Sequence, residues 1–181
     1  MRNYGYILLC IMLFSACRSF EKESKINDVR SWIGKEIKFP VDGVFIRLGK
    51  DTVFQFPKRP YIIVNYIDSA GCVGCRLRTL EWKNFMNKLE IKYPEMVSLL
   101  FYIQAKDTRE LMWILRGDDF SYPVCIDKGG DFSKINQLPS DEAFGTFLLN
   151  VNKEVLFVGS PVGNPSLEQL YIDEFEHHRH D

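Results

Sequence analysis

Two apolar runs set the plan of the chain. Tyr61 to Ile67 (YIIVNYI) is broken by a single amide, Asn65, and Val97 to Ile103 (VSLLFYI) by Ser98. Each has the length of a strand and falls short of an ordinary helix. Neither alternates, so both predict strands buried on two faces of a covered parallel sheet. Between them Leu77, Leu80, Phe85 and Leu89, with Trp82 and Met86, recur at helical spacing until Tyr93-Pro94 stops the pattern. This order predicts a right-handed strand, helix, strand unit.

Weaker patterns extend the plan on both sides. Val44 to Leu48 (VFIRL) and Thr52 to Phe56 (TVFQF) alternate around Gly49-Lys50-Asp51 and predict an N-terminal hairpin. Asp107 to Gly117 predicts a helix with Asp107 as cap, Glu110 in capping-box position and Gly117 as terminator. Tyr122 to Asp127 (YPVCID) predicts a short strand whose Pro123 marks an edge or a strand start. Asp131 to Leu138 predicts a helical turn or two. Thr146 to Asn150 and Val155 to Gly159 predict a second hairpin. Asn164-Pro165 then opens a closing helix with Leu167, Leu170, Tyr171 and Phe175 on one side. The fold class is α/β, a central mixed sheet flanked by helices with an N-terminal β-hairpin extension.

The first residues do not belong to this plan. Arg2 precedes a wholly apolar stretch, Ile7 to Phe14, and the small residues Ser15-Ala16 stand directly before Cys17. That is the order of a secretory signal, and the apolar stretch is well short of the roughly 18 residues of a spanning helix. The stretch resembles a bacterial lipobox, with Phe14 where Leu is usual, which implies cleavage before Cys17 and lipidation of that residue. An ordinary cleaved signal with a chance cysteine is the other reading. Each buried CH₂ of an acyl chain contributes ~0.8 kcal/mol, so the several chains of a lipoprotein give stable anchoring. Residues 1–16 are thus read as signal peptide, 17–31 as a polar lipid-anchored tether, 32–176 as the domain and 177–181 as a polar tail. The expected place is the cell envelope, lipid-anchored and facing the periplasm.

Composition adds two restrictions. The 181 residues, 46% of them apolar, suit one core of ordinary size. Formal charge is −1 without a basic run, which argues against nucleic acid as a partner. Of the 5 cysteines, Cys10 lies in the signal and Cys17 at the cleavage site, leaving Cys72, Cys75 and Cys125. That is too few for a disulfide framework, and odd.

Strand, CxxC, helix, strand, helix, hairpin and closing helix is the order of a thioredoxin fold. With YPVCID inserted before the hairpin, the chain from Trp32 to Phe175 resembles thioredoxin-like proteins of the TlpA and ResA type. LGKDTV, SAGCVGC, YPVCID and TFLLNVNKEVLFVG also resemble a group of thioredoxin-like lipoproteins. The resemblance implies a thiol-disulfide oxidoreductase. It also shows departures: Gly71 stands where thioredoxins carry Trp, and Gly145-Thr146 where they carry a cis-Pro before Thr. A trans bond or an altered loop is expected at Gly145, since a cis bond at a non-Pro residue costs about 2.5 to 4 kcal/mol.

The candidate chemistry follows. Cys72 is placed where a helix N-terminus favours a thiolate, and Cys75, one turn on, is expected beneath it as a shielded resolving thiol. Arg76 and Arg78 are read either as solvated residues of an amphipathic helix or as groups that support the thiolate or attract an acidic partner. Cys125 is either a buried small hydrophobe or a third redox thiol. Asn65 and Tyr66 stand near the place where thioredoxins carry a buried acid; neither is a carboxylate, and Asp68 is the nearest candidate, with turn capping as its simpler role. His177, His178 and His180 are read as a solvated end. A zinc site at the CxxC needs four ligands and no second CxxC or CxxH pair supplies them, so no metal or cofactor is expected. The peroxiredoxin pattern wants Pro and Thr where this chain has Asn65 and Ser69.

Two functions compete. The first is an envelope-facing, membrane-anchored thiol-disulfide oxidoreductase acting through Cys72 and Cys75 on thiol- or disulfide-bearing envelope proteins, with a further redox partner. The second is a thioredoxin-fold binding or scaffold lipoprotein whose CxxC is structural or inactive.

Overall fold

The structure is a computed structural model that describes residues 23, 25–41, 43–70, 73–105 and 107–180. Residues 1–16, expected to be a signal peptide, and Cys17, Gly71 and Cys72 lie outside these residues. The chain divides into two compact units between Ile33 and Gly34. In the first, residues 25–30 are helical, where the sequence was expected to form an irregular tether. The Trp32 N–H closes that helix on the Val29 carbonyl at 3.0 Å.

The second unit is built on a seven-stranded sheet, β1 (Val44–Arg47), β2 (Lys50–Asp51), β3 (Tyr61–Ile67), β4 (Val97–Ile103), β5 (Val124–Ile126), β6 (Thr146–Leu149) and β7 (Val155–Val158), in spatial order β2-β1-β5-β4-β3-β6-β7. β3 and β4 pair in parallel over their full length, and β6 joins β3 antiparallel with Thr146 opposite Asn65. Every residue of β3 is buried, Asn65 included. The helices are α1 (Val73–Leu77), α2 (Thr79–Lys92), α3 (Thr108–Gly117), α4 (Asp131–Asn136) and α5 (Pro165–His180), with a 3₁₀ turn at Glu142–Gly145.

Alternation along the central strands divides the core in two. Ile63 and Ile67 of β3 and Leu99, Phe101 and Ile103 of β4 join Trp82, Phe85 and Leu89 of α2, Leu111 and Leu115 of α3, and Tyr171 and Phe175 of α5. On the other face Tyr102 stacks on Phe132 of α4 at 4.6 Å, with Phe39, Phe45 and Tyr66 around them. The open edge of β7 is partly covered by the chain itself, through Val155 N–H to the Lys35 carbonyl and Ile37 N–H to the Lys153 carbonyl, both 2.9 Å.

Several predicted elements are displaced. The first hairpin turns at Leu48 (φ 52°) and Gly49 (φ 64°), both left-handed, so the return arm begins at Lys50 and not at Thr52. Phe54 then stacks on Phe45 at 4.0 Å from outside the strand. β5 is not an edge, because β1 pairs with it on the side away from β4; Pro123 is its start, accepting from the Phe101 N–H at 3.1 Å. The helix after Cys75 is two helices, broken at Arg78, whose backbone is left-handed (φ 45°, ψ 43°). The break resets the phase, so Thr79, Trp82, Phe85, Met86 and Leu89 are buried while Leu80 is 59% exposed. Leu170 of α5 is likewise exposed. The histidines are not an irregular tail: α5 runs on to His180, and Lys92 with Glu176 (2.6 Å) and the ring contact of His178 with Tyr61 tie its last turns down.

Candidate functional site

The C-terminal end of β3 delivers the chain into a turn that is held from both sides. Asp68 accepts from the Ala70 N–H at 2.9 Å, closing an Asx-turn. Arg76 of α1 donates to the Asp68 carboxylate and to the Ala70 carbonyl at 3.0 Å. Asp68 therefore caps the turn as expected and in addition pairs with Arg76. Arg78 is engaged elsewhere: it donates to the Val162 carbonyl at 2.9 Å and pairs with Glu81 at 3.2 Å. Its guanidinium lies so close to Gly163 that a Cβ there would come within 2.6 Å. Neither arginine is a merely solvated residue.

A cleft of about 310 Å³ opens at this end of the sheet, lined by Asn65, Tyr66, Ile67, Cys75, Arg76, Arg78, Trp82, Gly145, Thr146 and Ser160. It brings together the CxxC helix and the Gly145-Thr146 step, which are far apart in sequence and were paired by resemblance alone. The Gly145 peptide bond is trans, as are all those of the described residues. A Cβ on Gly145 would stand 3.0 Å from the Tyr66 carbonyl oxygen, so the loop approaches β3 as closely as a glycine permits.

Cys75 corrects an expectation: it is exposed, not shielded. The cause is helical phase. Leu77 is the residue of α1 that enters the core, at 0% exposure, and a residue two positions earlier points about 200° away from it. Cys72 lies outside the described residues, so its expected place at the helix start carries no geometry here. α1 itself has 5 residues.

Asn65 and Thr146 form the polar part of the cleft floor. Asn65 is 8% exposed, and its Nδ2 donates to Thr146 Oγ1 at 2.8 Å. Its Oδ1 is buried without a hydrogen-bond partner. Tyr66 is on the opposite face of β3, where burial raises its pKa and its hydroxyl reaches Gln104 at 3.4 Å. Trp82 and Ser160 also line the cleft and were not singled out from sequence; Ser160 comes from the chain after β7, and no local pattern marks it.

Cys125 is remote from this cleft. It sits in β5 opposite Phe45 of β1, 1% exposed, and burial, with Asp127 adding to it, pushes its thiol pKa up to about 12. A thiol so disposed stays protonated and inert at neutral pH, which favours the buried-hydrophobe reading. Asp127 spends its carboxylate on the N–H groups of Asp131 and Phe132 at 2.8 and 2.9 Å. Among the described residues no group of three or more His, Cys, Asp and Glu side chains could hold a metal ion, and no helix is long and apolar enough to cross a membrane.

No protein-family model and no curated protein matches the chain. Solved structures do. The thiol:disulfide interchange protein DsbE from Chlorobium tepidum superposes with a TM-score of 0.54 at 17% identity, over 79% of this chain and 97% of that one. Peroxiredoxin Q from Xanthomonas campestris gives 0.53 at 11% identity, over 78% and 96%. AhpC from Mycobacterium tuberculosis gives 0.53 at 17%, over 80% and 97%. The fold is thioredoxin-like. At these identities the likeness concerns the backbone alone, a mixed sheet flanked by helices, and the neighbours' names span more than one chemistry.

Proposed function

We propose that the chain is a thiol-disulfide oxidoreductase whose working pair is Cys72 and Cys75, anchored in the cell envelope through a lipid on Cys17. The observation that carries this reading is the cleft that joins Cys75 to Gly145 and Thr146. An accessible thiol at a strand-to-helix junction, with a second thiol three positions away in sequence, meets the two needs of thiol exchange: access for a partner disulfide and a resolving group within reach. In the reducing direction one thiolate attacks the partner disulfide, and the other then displaces the partner from the mixed disulfide. The oxidising direction is the reverse.

Insulin reduction, with Cys72→Ser and Cys75→Ser as controls, tests this. Turnover that depends on both cysteines is expected, as is a mixed disulfide with envelope proteins trapped in cells by Cys75→Ser. Absence of both would sink the assignment. A second reading, a binding or scaffold lipoprotein with an inactive CxxC, is favoured by the glycines at positions 71 and 145, which remove two side chains from the usual partner groove. It predicts a stable Cys72-Cys75 disulfide without Cys72-dependent turnover. The lipid is tested separately, by incorporation of labelled palmitate that Cys17→Ser abolishes.

A further inference from the structure

β4 is longer than β5 beside it, and the difference leaves a gap in the sheet. β5 meets β4 only from Phe101 onward. Main-chain bonds of β4 alternate in direction. Tyr61 N–H to the Met96 carbonyl and Gln104 N–H to the Ile67 carbonyl assign the even positions to β3; Phe101 N–H to the Pro123 carbonyl and Asp127 N–H to the Ile103 carbonyl assign the odd positions to β5. The N–H and C=O of Val97 and Leu99 therefore face the side on which β5 has already ended. The Val97 carbonyl accepts from Arg59 Nη1 at 2.7 Å, and Arg59 is held in turn by Glu90 and Glu95 at 2.8 and 2.7 Å. Leu99 has no such cover: among the described residues nothing bonds to its N–H or C=O. A cavity of about 470 Å³ runs along this gap with Leu99 in its wall, at the opposite end of the central strands from Cys75. Main-chain groups inside a sheet are paired as a rule, and an uncovered strand edge is a template for another strand.

Charge around the cavity defines the kind of strand. Arg47 lines it and stands directly opposite Lys50 in the register of β1 with β2, a like-charge pair that a carboxylate between them relieves. Neither side chain has an acidic partner among the described residues. Asp51 is next in the chain to Lys50 and pairs with Ile46, so alternation sends it to the other face; Glu90 and Glu95 are spent on Arg59. Val53, 91% exposed, and Tyr122 supply an apolar rim.

We propose that this gap is a docking site for an extended, acidic peptide segment of a partner protein, which pairs its main chain with Leu99 and sets an Asp or Glu side chain between Arg47 and Lys50. The segment accepts from the Leu99 N–H and donates to the Leu99 carbonyl, and its apolar side chains meet Val53 and Tyr122. Strand addition supplies affinity, and the carboxylate supplies the choice of partner. The site is independent of the dithiol reading, and a partner held at this end of β3 and β4 leaves the Cys75 cleft open.

The test uses the full-length chain labelled with ¹⁵N-leucine and, as probe, an acetylated and amidated peptide, Thr-Val-Glu-Val-Thr. The probe is expected to shift the Leu99 amide saturably. Replacing its Glu by Gln should weaken binding about threefold. N-methylation at the Glu or at both valines, whichever N–H groups face Leu99, should weaken it about tenfold. Arg47→Glu, a change at an exposed side chain, should erase the preference for Glu over Gln. An unmoved Leu99 amide, equal binding of the Glu and Gln peptides, or indifference to both N-methylations overturns the proposal. So does a Leu99 shift produced by laurate and not by peptide, or by rising protein concentration alone, since each gives the gap a different occupant.

Discussion

Arg76 reaches back from helix α1 to Asp68 at the end of β3 and, through a second bond to the Ala70 carbonyl, spans the turn that leads to the CxxC. The pair is about a quarter to a third exposed, 23% for Arg76 and 35% for Asp68, so solvent screens it in part. Arg76→Ala is expected to destabilise the domain by about 1 kcal/mol and to reduce Cys72-dependent insulin turnover severalfold. Arg76→Lys, which keeps the charge and loses the fork, should fall between. Urea titration and the turnover assay on the same preparations decide; wild-type values for Arg76→Ala would show that the turn holds without it.

Gly145 is fixed by its distance from β3. An alanine Cβ would press on a backbone oxygen, that of Tyr66, at 3.0 Å. A backbone atom yields less readily than a side chain, so Gly145→Ala should cost about 1 kcal/mol and spread the cleft at its Thr146 end. A thermal melt unchanged by the substitution would contradict this.

Arg78 allows a sharper comparison. Its left-handed backbone (φ 45°) is held by the bond to Val162 and the pair with Glu81. Alanine loses these bonds and keeps the strain, whereas glycine loses both. Arg78→Gly should therefore be more stable than Arg78→Ala by about 1 kcal/mol, the reverse of the order expected inside a helix. Equal midpoints in urea would mean that the break relaxes when the side chain is gone.

These three positions also show what could be read in the chain. The central strands were legible because a run without alternation admits few other placements, and the closing helix because Asn164 does cap it, accepting from the Leu167 N–H at 3.2 Å. The break at Arg78 was not legible: RLRTL contains neither Gly nor Pro, and the left-handed residue is held by the Val162 carbonyl, far along the chain. The exposure of Cys75 follows from its phase against the buried Leu77 within α1. Leu48 hid the first hairpin's turn in the same way, since a leucine at positive φ has no local signature. The cleft floor was half legible. Asn65 interrupts an apolar run, but its partner Thr146 is set by the pairing of β6 with β3.

Cys125 links folding to alkaline pH. Burial raises its pKa from 9.0 to about 12, so in that window the folded state holds a proton that the unfolded state releases. Its contribution is complete below pH 9 and is lost as pH rises towards 12, with a slope of at most about 1.4 kcal/mol per unit. Tyrosines titrate nearby, so the comparison is with Cys125→Ala. Between pH 8 and pH 10 the wild type should lose about 1 kcal/mol more than the variant; parallel losses would show that the thiol ionises freely in the fold.

The covering of Cys125 by the first hairpin has a consequence in time. β1 and β5 are distant in sequence, and pairings of that kind close late in folding and open by local excursions while the rest of the sheet stays intact. The Sγ of Cys125 lies so close beneath the chain at Gly43 that a Cβ there would approach it to 2.5 Å, so no reagent reaches the sulfur until the hairpin lifts. The rate at which Cys125 takes up a thiol reagent is thus a clock for that lifting, and it runs independently of the exposed Cys75.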